Sequence, residues 1–329
     1  LTSHTWLVNH QCKKIRSFIF SNTNVKSLYI LPQKFFLTAP TIIPVITLCE
    51  KSKNINDYKV DIYSSYSESN GWNIKNQAYS NSLINGNGLR ESVIPNILKP
   101  IFNKMEKSGI KLDDFCHIGV GIQESLKKDG KSSKFVFEKQ INQDYKPVLK
   151  GRDISPFKVN WDNKYIYFGK HLAYMGNENI YKAPKILYQN IRNEKLKIRI
   201  VATLDRNEFY PKNSLSFIVS NNSDYPLELI VGLLNSILVN AWFSSKNHSF
   251  HITVTQIKEI PLPPVNIHLF KQIEEKSNKL LKLKPSTARW NKLLEELNIL
   301  VLRSYLGKVD DENKLLESLL KFLEDAASL

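Results

Sequence analysis

The sequence predicts a mixed α/β fold, and three observations carry that expectation. Six short runs rich in β-branched and aromatic residues crowd between positions 113 and 265, with turn residues between them. A proline-rich exit, "IKEIPLPPVN", closes that stretch. Beyond the exit, three segments repeat apolar residues at helical spacing. Four regions follow: helix and strands over 1–53, a connector with a helical segment over 54–112, a mixed β/α domain over 113–265, and a helical tail over 266–329.

In the first region, "LVNHQCKKIRSFIFSN" places Leu7, Ile15, Phe18 and Ile19 at helix-like spacing. "VKSLYIL" and "TIIPVITLCEK" are apolar runs of strand type, joined by "QKFFLTAP". The second region opens on a polar Gly/Asn/Ser-rich stretch with isolated aromatics. "LRESVIPNILKPIFNKMEKSG" then reads as helix broken at Pro95 and Pro100.

In the third region the strand candidates are "FCHIGVGIQES", "KFVFEK", "YIYFG", "KILYQNI", "IRIVATLD" and "SLSFIVS". "PLELIVGLLNSILVNAWFSSK" reads as one long helix. Asp224 is its expected N-cap, Pro226 lies in its first turn, and Leu229, Leu233, Ile237 and Trp242 form its apolar face. In the tail, Gly307 is the expected C-cap of one helix and Asp310 the N-cap of the next.

The chain has 329 residues, enough for two or three compact units. It carries 46 basic and 31 acidic side chains, a formal net charge of +15. Such a surface fits nucleic acid or an anionic membrane. No basic amphipathic helix with exposed Trp or Phe stands out, so the expected partner is nucleic acid rather than membrane. A lysine-rich, AT-biased genome would give a similar balance. No apolar run approaches the length of a membrane-spanning helix. Cys12, Cys49 and Cys116 form no C-x-x-C pair, which argues against zinc and fits a reducing cytoplasm. The start lacks Met and lacks the order of a signal peptide, and so reads as the cut end of a longer chain.

No phosphate-binding P-loop, H-E-x-x-H or G-x-S-x-G is present. Gly119 and Gly121 form a G-x-G without a third glycine, which reads as a tight turn. The acids in "DDENK" open a helix, where they complement its dipole. Asp205, with Glu208 near it, reads as a turn cap after a strand. His248 and His251 lack a third ligand. They are left as donors to phosphate or base, or as turn residues. Neither a catalytic group nor a metal site is expected.

Positive charge recurs in places. Lys127, Lys128, Lys131 and Lys134 follow the G-x-G, and Lys146, Lys150, Arg152 and Lys158 surround "KGRD". Lys182, Lys185, Arg192, Lys195, Lys197 and Arg199 lie in "YKAPKILYQNIRNEKLKIRI", and Lys246, His248 and His251 close the set. Tyr165, Tyr167, Tyr174, Tyr181 and Tyr188 are interleaved. Lys and Arg neutralise phosphates, while Tyr, Asn and Gln reach base edges. Taken singly, each lysine also reads as a solvated surface residue.

"YKPVLKGRDISPFKVNWDNKYIYF", "YKAPKILYQNIRNEKLKIRIVATLD", "GLLNSILVNAWF" and "VTQIKEIPLPPV" occur in that order. Together they resemble the TaqI-like C-terminal specificity domain of N-6 adenine DNA methyltransferases and fused type IIG restriction–modification enzymes. The first 53 residues look like the end of such a methyltransferase's catalytic domain. The family's N-P-P-Y-type tetrapeptide and cofactor loop are absent here. The resemblance therefore implies a target-recognition module for double-stranded DNA, without catalysis or cofactor of its own. Its partner would be the upstream catalytic domain of a parent that uses S-adenosylmethionine. The exit is also similar to type I specificity subunits, whose spacer helix packs on partner subunits. That leaves 266–329 as a possible protein-docking surface. Leu269, Ile273, Leu280, Leu281 and Leu283 form a stripe that either meets a partner or packs within the domain.

On this reading "KPVLKGRDISPF" ends a strand and turns at Gly151, with Asp153 tying the turn's amides. Lys150 or Arg152 would point at DNA, unless Arg152 pairs internally with an acid. Phosphate contacts would come from the lysine-rich loops, including Lys127, Lys128, Lys131, Lys185, Lys195, Lys197 and Lys246. Base contacts would come from Gln189, Asn190, Arg192 or His251, with His248 beside it. Two alternatives stand: a catalytically competent methyltransferase or restriction-enzyme piece, and a structural subunit that docks partners through its C-terminal helices.

Overall fold

A computed structural model of the chain describes residues 1–32, 35–39, 42–52, 56–67, 71–85, 89, 94–124, 135–191, 196–220, 222–247 and 251–327. The fold is mixed α/β and divides into two compact units. One comprises Leu1–Pro100, Trp242–Phe250 and Leu320–Leu329; the other comprises Ile101–Ala241 and His251–Leu319.

The first unit is built on a sheet of β1 (Thr2–Ser3), β2 (Thr23–Ile30), β3 (Pro44–Lys51), β4 (Lys59–Ser67) and β5 (Gly71–Tyr79), in the order β1-β3-β2-β4-β5. α1 (Thr5–Val8), α2 (Lys13–Asn22) and α3 (Ser80–Ile84) complete it. Leu7, Phe20, Leu28, Val45, Val60 and Ile62 share one core. β2 and β3 fall where the apolar runs predict them. α2 also forms inside the stretch read as helix, but with another face inward: Ile15 and Phe18 are exposed, while Arg16 and Phe20 are buried. The Arg16 guanidinium is held by the Trp6 carbonyl at 3.0 Å. β4 and β5 correct the expected connector. β4 pairs parallel with β2 and antiparallel with β5. Only alternate residues such as Val60 and Ile62 face the core, so the strand's polar outer face reads as loop in the sequence.

α4 (Lys99–Lys107) carries Pro100 in its first turn, where proline is tolerated rather than disruptive, and two sheets lie in the second unit. One sheet runs β13-β12-β15-β6, from β13 (Ala202–Asp205), β12 (Lys185–Gln189), β15 (Leu215–Ser220) and β6 (Cys116–Val120). A second runs β14-β8-β11-β7, from β14 (Tyr210–Pro211), β8 (Tyr145–Leu149), β11 (Tyr165–Tyr167) and β7 (Val136–Phe137). β9 (Ile154–Ser155) and β10 (Lys158–Val159) form a small hairpin, and α5 (Glu178–Lys182) precedes β12. Val148, Leu149, Ile166, Leu187, Tyr210 and Phe217 belong to a single core that draws on both sheets. Gly119 and Gly121 sit at close approaches rather than in a tight turn. A Cβ at Gly119 would meet the Phe217 ring at 2.4 Å, and one at Gly121 the Lys212 carbonyl oxygen at 2.3 Å.

The expected single helix over 226–246 is two, α6 (Leu227–Asn235) and α7 (Ile237–Lys246), bent by 65°. Its N-cap is Pro226 rather than Asp224. Ser236 adopts extended backbone, and its hydroxyl donates to the Leu233 carbonyl. The amides of "LNSILVN" tie the break to the sheet. Asn235 both accepts from the Ala202 amide and donates to its carbonyl, at 3.1 and 2.9 Å. Asn240 accepts from the amides of Arg199 and Ile200, at 2.8 and 2.7 Å. Among the described residues, no single helix is long and apolar enough to cross a membrane.

α8 (Val254–Lys258) leads into the proline-rich exit, and the tail holds α9 (Ile267–Lys282), α10 (Ala288–Leu306) and α11 (Glu312–Ala327). Gly307 ends α10 at φ +74°, and its amide donates to the Arg303 carbonyl. Asp311, one residue after the expected cap, accepts the Lys314 amide and starts α11. α9 packs on α6 at Gly232, where a Cβ would meet Ser277 Oγ at 2.5 Å. Ile273 and Leu280 of the apolar stripe are fully buried; Leu269, Leu281 and Leu283 are half-buried. Asn298 of α10 accepts the Ile237 amide that opens α7, at 2.8 Å.

Candidate nucleic-acid interface

β12 is buried along its whole length, and its two ends have different fates. At its start, Lys185 has no exposed surface. Its amine meets the Asp205 carboxylate at 2.6 Å and also donates to the Tyr181 carbonyl. Burial pushes that amine below its usual range, against the pull of Asp205. Lys185 is thus corrected from a phosphate contact to a core ion pair. Asp205 also accepts the amides of Asn207 and Phe209, which makes it the turn cap that a post-strand aspartate predicts.

The other end of β12 gathers candidate residues. Gln189 is 5% exposed, and its amide donates to the carbonyls of Gly151 at 2.7 Å and Ile154 at 3.1 Å. Gln189 is therefore corrected from a base reader to a brace under the "KGRD" turn. That turn is a 3₁₀ segment, Gly151–Asp153. Asp153 Oδ2 accepts the Lys150 amide at 2.7 Å, and the Gly151 amide donates to Ser214 Oγ at 2.9 Å. A Cβ at Gly151 would come within 3.2 Å of the Ser214 carbonyl oxygen, so the close approach favours glycine. Asp153 is buried, and desolvation raises its carboxyl above the ordinary value. Arg152 points out with 72% of its side chain exposed. It lies 3.7 Å from both the Asp153 and the Asp162 carboxylates, so it is partly paired. Lys150 is half-buried beside it.

Ser214 joins this turn to the next candidate. Its carbonyl accepts the Asn190 amide at 3.0 Å. The Asn190 side chain donates to the Asn213 carbonyl at 2.9 Å, and its own oxygen has no partner among the described residues. Ile191 then bridges to His251, which is exposed. Close by, Gly121 donates to the Leu215 carbonyl and Asn213 to that of Ile122. Glu124, the last described residue before position 125, pairs with Lys212 at 2.9 Å. Glu124, the Gly151–Asp153 turn, Asn190, Ile191 and His251 are thus linked to one another through Lys212–Ser214 and the Ile191–His251 bridge. Lys127, Lys128, Lys131, Lys134, Arg192, Lys195 and His248 lie outside the described residues.

The other expected residues have other surroundings. Lys197 is exposed. Lys246, half-buried near the end of α7, belongs to the other unit. Arg199 is 4% exposed. Lys146 and Lys182 lie against Glu178, at 3.6 and 3.1 Å. Tyr181 and Tyr188 are core residues, and burial raises both phenols. Tyr167 is exposed, and it stacks on His171 at 4.4 Å and neighbours Tyr145 at 5.2 Å.

The sequence reading missed Ser214. A hydroxyl directly after Asn213, at the mouth of a strand, is the signal that marks it. Among the described residues, no group of three or more His, Cys, Asp or Glu could hold a metal.

Residues 146–262 match the family model of the TaqI-like C-terminal specificity domain. No curated protein sequence matches the chain. Among solved structures, the type IIL restriction–modification enzyme MmeI in complex with DNA aligns with a TM-score of 0.59 at 13% identity, covering 99% of this chain and 49% of that one. The type IIG restriction endonuclease BpuSI aligns at 0.48 and 11% identity, covering 99% and 46%. The HsdS subunit from Thermoanaerobacter tengcongensis aligns at 0.32 and 14% identity, covering 61% and 45%. The chain spans about half the length of these structures or less, and at such identities the likeness to MmeI is one of fold. The stretch that holds the "KGRD" turn, β12 and the Ser214 junction is thus the stretch that resembles a TaqI-like C-terminal specificity domain.

Proposed function

We propose that this chain recognises a specific sequence in double-stranded DNA, as the target-recognition part of a cytoplasmic restriction–modification enzyme that methylates adenine. The observation that carries the reading is the coincidence of the family match with the cluster at the end of β12. There, Gln189, Ser214 and Asp153 brace the turn from within, while Arg152 and His251 are exposed at its rim. Outward cations position a protein on phosphates, and a few side chains at the same rim read bases. Arg152 is assigned to phosphate. Asn190 and His251 are assigned to base edges.

The chain itself contributes no chemistry in this reading. S-adenosylmethionine would be held by the parent's catalytic part. At the chain's G-x-G, the Phe217 ring and the Lys212 backbone occupy the space beside Gly119 and Gly121, which supports placing the cofactor elsewhere.

The test is selection of bound duplexes from a randomised pool, with titrations at increasing salt. An enriched motif with steeply salt-dependent affinity is the expected result. Failure to bind any duplex at low salt would sink the reading. Calorimetric binding of S-adenosylmethionine by this chain would overturn the second part.

A further inference from the structure

The hairpin of α9 and α10 ends in a concentration of positive charge that the interface above does not use. Six cations and no acid lie between positions 276 and 292. Lys276 is bonded to Glu296 across the hairpin. That bond holds the Glu296 carboxyl below its ordinary range, and Lys292 and Lys279 add to the effect. One acid thus faces three lysines. Lys282, Lys284 and Arg289 are exposed, with no ionic partner among the described residues.

Helix stability does not account for this arrangement. Lys279 and Lys282 suit the negative end of α9. Arg289 and Lys292 do the opposite: they occupy the first turns of α10, at its positive end, where no acid is present. Core packing does not account for it either. The last α9 residue buried in the unit is Leu280, and none of the residues 281–289 is buried. The tip is therefore exposed or half-buried throughout. Each helix offers two cations three residues apart, Lys279 with Lys282 and Arg289 with Lys292, and residues so spaced share one helix face about 5–6 Å apart.

We propose that this hairpin tip is a second DNA-contacting surface, separate from the specificity segment, that binds the sugar–phosphate backbone without reading sequence. The occupant is DNA because two helical pairs of cations, with no acid between positions 276 and 292, complement a regular polyanion. The inference rests on the DNA-recognition reading above and adds to it a clamp outside residues 146–262.

The experiment compares the full chain with K279Q/K282Q/R289Q/K292Q, since glutamine keeps helix propensity. Circular dichroism and urea unfolding first establish that the variant folds. Both proteins are then titrated with random-sequence duplexes and with any motif enriched from them, between about 50 and 200 mM salt. The log–log salt slope is expected to fall by about 3–4, one step of ~0.9 per lost contact. Affinity should drop at least tenfold, by the same factor on both duplexes. An unchanged slope and affinity in a folded variant would overturn the clamp while leaving the recognition reading intact. A parent chain that binds no duplex removes both. Loss of sequence preference at unchanged slope would also overturn the proposal, because the tip would then be reading bases.

Discussion

The hydroxyl of Ser214 accepts the amide of Gly151 at 2.9 Å, so a strand-opening serine fixes a turn 63 residues earlier in the chain. Ser214→Ala removes that acceptor and keeps the backbone carbonyl that holds Asn190. The expected cost is about 1 kcal/mol, read as a lower urea midpoint with an unchanged m-value. The selected DNA motif should broaden, while affinity for random duplex stays at the parent level.

Lys185 and Asp205 form a fully buried pair at 2.6 Å. Lys185→Met or Asp205→Asn alone should cost about 3–5 kcal/mol, because each leaves a charge in the core. Changing both should cost less than the sum in a double-mutant cycle. Lys185→Met should leave the salt slope of DNA binding untouched. A slope reduced by about one would return Lys185 to the phosphate contacts.

Arg152 and Asn190 should separate on DNA. Arg152→Gln is expected to weaken all duplexes alike and to lower the salt slope by about 0.9. Asn190→Ala is expected to relax preference at one position by about 1–3 kcal/mol, with the slope unchanged. Competition binding with single-base variants of the selected motif distinguishes the two.

Arg303 donates to both carboxylate oxygens of Glu312, at 2.7 and 2.8 Å. Those bonds hold the Glu312 carboxyl below its ordinary range. Its folded-state pKa lies below the unfolded one, so the pair's contribution is present above about pH 4.3. That contribution is lost as pH falls through the folded value. Urea unfolding at about pH 5 and pH 3 should show the parent losing more stability than Glu312→Gln, by less than about 1 kcal/mol for a partly exposed pair. Equal losses would mean that the pair is inert.

Legibility followed burial. β12 and most of β15 are apolar in sequence because they are buried in the fold, β6 alternates buried and exposed residues, and all three were readable. β4 was not, since its outward residues are polar and its inward ones few. The break at Ser236 was invisible for another reason. "LLNSILVN" has good helical spacing, and only the partners of Asn235 and Asn240 on residues 199–202 show why the helix must turn there. Around the "KGRD" turn, side-chain directions were not legible in the sequence. Lys185 and Gln189 lie four residues apart on one strand, and the tertiary partners Asp205 and Gly151 turn both inward.

The way α9 and α10 are seated decides how a specificity of this kind can be inherited. Tyr305 donates to the Pro261 carbonyl, the Leu262 amide to that of Ile110, and Asn298 accepts from the start of α7. Sequence similarity ends at position 262, yet the bonds that support it run on to α10 and back to Ile110. A swap of recognition between two enzymes would have to move the helices with the sheet. A cassette cut at the edge of the similarity would leave Gly232 and Ile237 facing a foreign surface.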